Sequence, residues 1–212
     1  MGLNRAALIA KRIEEEIHIY RKLLDAIDDT VRDALRELSE RTGDLDEDEQ
    51  RFDRLMDVIS DEAWKVEDRI SPALYRGVLL SLYADTEDSL LALCRGYATA
   101  RSEAEVENMN CWGIAEAKAF LKNEVGVAVP DQSGAWQELM EFKRLRDCLA
   151  HRNGALSDNE KCGSLGRYVA RRPDLRVGRH DKVTIDREYV ECVLEAATEF
   201  FGSLQGKLPT FK

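Results

Sequence analysis

Apolar residues recur at steps of three and four through the first 70 residues, which is the helical period. One long amphipathic helix is predicted from Leu8 to Leu38, with apolar positions at Ile9, Ile13, Ile17, Tyr20, Leu24, Ile27, Val31, Leu35 and Leu38. The acidic stretch DLDEDEQ follows a Gly-Asp turn signal, and a second helix then has apolar positions at Phe52, Leu55, Met56, Ile59, Ala63 and Val66. The pair is predicted to be an antiparallel hairpin, either a partner-binding or dimerising arm or an element packed on the main domain.

Four further helices are predicted after this hairpin. Ser71-Pro72 is a typical helix start, and the many apolar positions of the helix over 72–97 indicate contacts on more than one side, as in a central helix. The others cover 114–125, 136–151 and a closing segment that ends near Gln205. Residues 154–181 are predicted to be irregular and basic, with DKVTID as a short extended segment after them.

The helix over 136–151 has an unusual polar end, RLRDCLAHRNG. At 100° per residue, Leu139, Phe142, Leu145 and Leu149 fall in one apolar sector, and Arg146 lies at its edge. Asp147 and His151 are i,i+4 neighbours on another face, flanked by Lys143 and Arg144, and Asn153-Gly154 is a helix stop.

Composition and charge limit the possible functions. Hydrophobic residues make up 44% of the 212 residues, so a substantial core can form, and few prolines favour helix. The sequence has no signal pattern and no apolar run that could span a membrane, and its five scattered cysteines include no CxxC. Reduced thiols in a cytoplasmic protein are therefore expected, without a zinc site or a disulfide scaffold.

The net charge of −10 hides an uneven distribution. Residues 1–70 carry 20 acidic and 12 basic side chains, whereas residues 143–187 carry 12 Lys or Arg and 6 Asp or Glu. We therefore divide the chain into an acidic N-terminal helical arm (1–70) and a main helical domain (71–212). The basic region is compatible with RNA binding, although both regions are also compatible with ordinary solvated surfaces.

Several enzyme classes lack their motifs here: there is no GxxxxGK[ST] loop, no GxGxxG after a strand and no HExxH. A Cys148–His151 thiol mechanism is not favoured, because Cys148 is expected to point into the packing. Arg146 and His151 suit RNA cleavage by the 2′-hydroxyl, since imidazole can transfer protons near neutral pH and guanidinium can stabilise a phosphorane. No metal or other cofactor is needed. The alternative is that both side chains simply complement a helix C-terminus.

The segment RDCLAH, followed by Arg-Asn-Gly, resembles the Arg-polar-x-x-x-His signature of the HEPN superfamily (higher eukaryotes and prokaryotes nucleotide-binding domains). LYRGVLLSLYADTEDSLLALC resembles the central helix of bacterial HEPN branches, which carries an acidic residue near the place of Glu87. DREYVECVLEAATEFFGSL is similar to their closing helix, so the resemblance covers about 71–208. Asparagine is commonest where Asp147 stands, and the HxY extension of the nucleotidylated branch is absent.

The resemblance implies an all-α, up-and-down HEPN helical bundle, with the additional N-terminal hairpin, that pairs as a homodimer around one composite cleft. It implies a metal-independent endoribonuclease, a toxin or an antiviral defence effector, in which Arg146 binds the scissile phosphate and His151 is the general acid/base. Asp147 and Glu87 would support them, and the expected RNA contacts are Lys143, Arg144, Arg152 and Asn153. The arm could bind an antitoxin or a defence partner. The alternative is a non-catalytic HEPN module for dimerisation, sensing or RNA binding.

Overall fold

The computed structural model describes residues 5–43, 49–99, 109, 113–205 and 207–208, with side chains from residue 11 onwards apart from 41–43 and 49–56. The protein is all-α, as predicted, and the described residues include one small β-hairpin. Some predictions lie outside the described residues: the acidic stretch over 44–48 and the side chains of Ile9, Phe52, Leu55 and Met56.

Among the described residues, the N-terminal half forms three α-helices: α1 (Arg5–Gly43), α2 (Glu49–Lys65) and α3 (Ser71–Thr99). A single π-helical turn, Val66–Ile70, connects α2 to α3 without a break. Ser71 was predicted to cap a new helix, but it has helical backbone angles and its hydroxyl donates to the Val66 carbonyl at 3.0 Å. The local reason is Pro72, which lacks the N–H that a continuous α-helix would require there.

The C-terminal half begins with α4 (Ile114–Asn123) and α5 (Gly134–Arg152). Two short helices follow, α6 (Asp158–Cys162) and α7 (Ser164–Ala170). Strands β1 (Leu175–Val177) and β2 (Val183–Ile185) then pair antiparallel across a 3₁₀ turn, Arg179–Asp181. The final helix, α8, covers Arg187–Gln205.

Part of the predicted irregular region is therefore helical. The α6 turn is stabilised locally, because Ser157 donates from both its backbone N–H and its hydroxyl to the Glu160 carboxylate at 2.9 and 2.7 Å. The α7 helix buries Leu165 and Val169. These elements are too short for a helical period to be visible in the sequence.

One hydrophobic core joins both halves of the chain. The α1 side chains of Ile13, Ile17, Tyr20, Leu24 and Ile27 are buried, as their spacing predicted, and they belong to the same cluster as the buried faces of α3, α5 and α8. The core thus extends across residue 70.

Charged contacts reinforce the seam between α1 and α8. Arg187, in the first turn of α8, donates to Asp25 at 2.6 Å and to Asp28 at 2.5 Å. Tyr75 of α3 also donates to Asp28, so three helices meet at this carboxylate. The acidic residues of α1 are therefore used in part for internal packing.

Helix α5, which carries the unusual polar end, lies between α3 and α8. It begins at a Ser133 cap, whose hydroxyl accepts from the Trp136 N–H at 3.1 Å. Its predicted apolar sector is buried: Leu139, Phe142, Leu145 and Leu149 are each at most 3% exposed. It ends at Asn153, in the left-handed conformation (φ 53°, ψ 33°), and Gly154 follows with φ 81°. The predicted helix stop is correct.

Candidate functional site

Arg146 lies at the edge of the buried face of α5, against α3. Its guanidinium carbon is 4.0 Å from the centre of the Tyr83 ring, and its side chain is 27% exposed. Tyr83 itself is fully buried and packs edge-on against Phe142. An aromatic face offers a cation an attractive contact without neutralising its charge. The ring therefore orients the guanidinium while leaving part of it open to solvent.

Two carboxylates surround the same guanidinium. Arg146 donates to Asp147 at 2.8 Å, and its other terminal nitrogen lies 3.8 Å from the Glu87 carboxylate. The Tyr83 hydroxyl donates to Glu87 at 3.1 Å, so Glu87 contacts both members of the stacked pair. Burial, and then the charge of Glu87, raise the pKa of Tyr83, which stays protonated as a hydrogen-bond donor. Glu87, a predicted supporting residue, is thus in contact with Arg146.

Asp147 contacts cations rather than His151. Its carboxylate accepts from Lys143 at 3.2 Å as well as from Arg146. Among the described side chains, no hydrogen bond joins Asp147 to His151. Within one chain, Asp147 therefore contacts Arg146 and not His151, because the two neighbouring cations attract the carboxylate to their side.

His151 is exposed in the last turn of α5. Its ring has no hydrogen-bond or ion-pair partner within the part of the chain that the structure describes. Arg146 faces α3 instead, so the two side chains do not converge on one point within one chain. A rotation of about 140° separates positions five residues apart on a helix.

The predicted RNA-contacting residues already have protein partners. Arg144 donates to Glu141 at 2.6 Å, Lys143 pairs with Asp147, and Arg152 pairs with Glu160. The Asn153 side chain accepts from Arg76 of α3. These residues lie in the last turns of α5 and at its C-cap, and the arginines and the lysine are paired with nearby carboxylates.

Cys148 faces the protein interior. It is fully buried, its thiol lies 3.5 Å from the Ala155 carbonyl, and burial raises its pKa. A low thiolate population makes a poor nucleophile, which agrees with the sequence-based argument against a thiol mechanism. Cys94, Cys162 and Cys192 are also free thiols.

The sequence did not identify Tyr83 as part of this site. Its one recognisable signal was its position one turn before Glu87 on a helix predicted to be central. The sequence also did not indicate that Arg69, Arg76 and Lys182 line one groove beside the end of α5. These three side chains come from the π-helical turn, α3 and the segment before β2.

In the part of the chain that the structure describes, the protein is an all-α protein with a polar site where α3 meets the end of α5. Comparison with known proteins found no match: no protein-family model, no curated protein and no solved structure matches the chain. Within the described ranges, no group of three or more His, Cys, Asp or Glu side chains is arranged to hold a metal ion. None of the described helices combines the length and apolar character that crossing a membrane requires.

Proposed function

We propose that this protein is a metal-independent endoribonuclease that acts as a homodimer, with a role as a toxin or an antiviral defence effector. The observation that carries the proposal is that one helix carries, near its end, a half-buried, ring-stacked Arg146 and an exposed His151 that has no bonding partner among the described residues. The all-α architecture is also what the HEPN resemblance implies, and Glu87, the supporting residue expected from that resemblance, lies 3.8 Å from Arg146.

The chemistry assigns each side chain one task. The imidazole of His151 takes the proton from a ribose 2′-hydroxyl while water protonates the leaving 5′-oxygen, or it protonates the leaving 5′-oxygen while water takes the 2′-proton. The 2′-oxygen attacks the adjacent phosphorus, the bond to the 5′-oxygen breaks, and a 2′,3′-cyclic phosphate and a 5′-hydroxyl remain. Arg146 binds the non-bridging oxygens as negative charge develops on them.

A second copy of the chain is part of the proposal. Arg146 and His151 face different directions within one chain, so neither can complete the site of the other. A two-fold pairing of α5 with its copy brings the Arg146 of one protomer towards the His151 of its partner. One phosphate then lies between them in a composite cleft.

The direct test is incubation of the purified full-length protein with total RNA in EDTA. The wild type is expected to cleave, whereas His151→Ala and Arg146→Ala are expected to be inactive. His18→Ala is the matched control, because His18 is an exposed histidine that belongs to α1 and not to α3 or α5, the helices of the site. Equal cleavage by the wild type and the two site variants, or cleavage by none of them, would rule out this assignment.

The composite cleft has a sharper test. Arg146→Ala and His151→Ala chains are unfolded together and refolded as a mixture, so that mixed dimers form. A mixed dimer contains one site with both side chains intact, and RNA cleavage is expected to return although each variant alone is inactive. No recovery, with mixed dimers present by mass, would argue for a site within one chain.

A second candidate is a non-catalytic module that dimerises, senses or binds RNA. It is favoured by one observation: Arg146 already has two carboxylates near it, at 2.8 and 3.8 Å. This candidate predicts RNA binding at low salt without cleavage, and no effect of His151→Ala on growth when the protein is expressed. The ribonuclease instead predicts slowed growth that His151→Ala relieves. In either case the acidic N-terminal helices are a candidate surface for an antitoxin or a defence partner.

A further inference from the structure

A solvent-open groove with a volume of about 260 Å³ lies beside the end of α5, immediately after the turn that carries His151. The π-helical turn, the start of α3, the C-cap of α5 and β2 form its walls. Its polar lining consists of Asp68, Arg69, Arg76, Asn153, Lys182 and Thr184. Segments from four parts of the chain thus meet at one surface.

The cations of this groove differ from those at the end of α5. Lys143, Arg144 and Arg152 are each paired with a carboxylate. Within the described residues, Arg69, Arg76 and Lys182 have no carboxylate at ion-pair distance, and Arg76 donates only to the neutral amide of Asn153.

The lining therefore carries excess positive charge, since three cations face one acidic residue, Asp68. Unpaired cations that converge on a concave surface raise the local positive potential and attract a polyanion. The Thr184 hydroxyl adds a neutral donor at the same surface.

We infer that this groove binds the phosphodiester backbone of single-stranded RNA and directs it towards His151. The inference rests on the proposed ribonuclease function and names the surface that holds the substrate beside the cut. The contacts are to phosphates, so the groove contributes affinity and register rather than base preference. Arg69 and Lys182 are proposed to bind phosphate alone, whereas Arg76 also donates to Asn153, the C-cap residue of α5.

The test measures binding separately from cleavage. All variants carry His151→Ala, so that RNA stays intact, and the affinity for a labelled single-stranded RNA is measured in EDTA over a range of salt concentrations. Arg69→Gln and Lys182→Gln are each expected to weaken binding roughly tenfold at low salt and to flatten the salt dependence by about 0.7 in log–log slope, the value for one phosphate contact on a single strand. Lys207→Gln is the matched control, because Lys207 is an exposed lysine outside the groove.

The proposal that the groove binds RNA is contradicted if Arg69→Gln and Lys182→Gln bind the RNA as tightly as the parent protein does. It is also contradicted if Lys207→Gln loses as much affinity for the RNA as they do. It is also overturned if inorganic phosphate alone binds as tightly as the RNA, since the contacts are proposed to extend over several linked phosphates. Cleavage by the protein with native His151 is assayed in parallel. If the protein with native His151 cleaves RNA and the groove variants bind RNA as tightly as their parent, the proposed groove is rejected and the proposed ribonuclease is retained. If the groove variants bind RNA more weakly and no cleavage is seen, the groove is supported and the ribonuclease is rejected.

Discussion

The guanidinium of Arg146 lies 4.0 Å from the centre of the Tyr83 ring, and this contact joins α5 to α3 at the candidate site. The Tyr83 hydroxyl donates to Glu87, whose carboxylate is also near Arg146. Ring and carboxylate together hold the guanidinium in place, while 27% of the Arg146 side chain stays exposed. If Arg146 binds phosphate, the contact with Tyr83 sets its direction.

Two substitutions of Tyr83 distinguish the contribution of its ring from the contribution of its hydroxyl. Tyr83→Phe keeps the ring and is expected to preserve RNA cleavage, at a cost of about 1 kcal/mol in unfolding free energy for the lost hydrogen bond. Tyr83→Leu removes the ring, and cleavage is expected to fall roughly tenfold because a positioning contact of about 1 kcal/mol is lost. Cleavage assays beside urea unfolding of both variants check this. Equal activity of the leucine variant would show that the ring does not orient Arg146.

Asp147→Asn is expected to strengthen RNA binding. It removes a carboxylate from Arg146 and Lys143 and introduces the residue that the HEPN resemblance leads us to expect at this position. The gain in affinity is expected to reach up to about fivefold, because a partly exposed ion pair is worth about 1 kcal/mol at most. Binding is measured in the His151→Ala background, and Glu141→Gln, which alters the partner of Arg144 instead, is the comparison. Weaker binding by Asp147→Asn would indicate that the carboxylate has a positive role.

Two neighbouring leucines of α1 test whether the N-terminal helix belongs to the core. Leu24 is fully buried, whereas Leu23 is 43% exposed. Leu24→Ala is expected to lower the unfolding free energy by about 2–5 kcal/mol, and Leu23→Ala by about 0.5 kcal/mol or less. Chemical denaturation followed by circular dichroism measures both. Similar small losses would mean that α1 is a separate arm.

Alkaline pH is expected to unfold the protein cooperatively. Burial raises the pKa of Cys94 from its ordinary value to about 12, and burial is also the main cause of the raised pKa values of Tyr20, Tyr75, Tyr83, Tyr168 and Tyr189. The unfolded chain therefore loses these protons at lower pH than the native state. Stability is fully present below about pH 9 and falls above it, by up to about 1.4 kcal/mol per pH unit for each such group.

The measurement is the urea midpoint between about pH 8 and pH 11, with tyrosinate absorption followed on the same samples. Tyrosinate absorption is expected to increase over the same pH range in which the helices are lost. Tyrosines that ionise near pH 10 while the helices remain intact would contradict this burial.

Most of the helices could be predicted because their information is local. The apolar spacing of α1 and α5 reports directly on the face that each helix buries, and Asn153-Gly154 marks the end of α5 by its own backbone preferences. The short helices α6 and α7 were missed, since five and seven residues are too few for a period and their stability depends on a cap and two buried side chains.

The amino-acid pattern alone was enough to predict the all-α class, the buried faces of α1 and α5, and the presence of Arg146 and His151 on one helix with different directions. The packing of the helices was needed to show that Arg146 stacks on Tyr83, that Asp147 pairs with Lys143 and Arg146 rather than with His151, and that Arg69, Arg76 and Lys182 share a groove. Helical periodicity repeats within a few residues and is visible in the chain. The partner of a charge is set by how separate elements pack, and no local pattern encodes it.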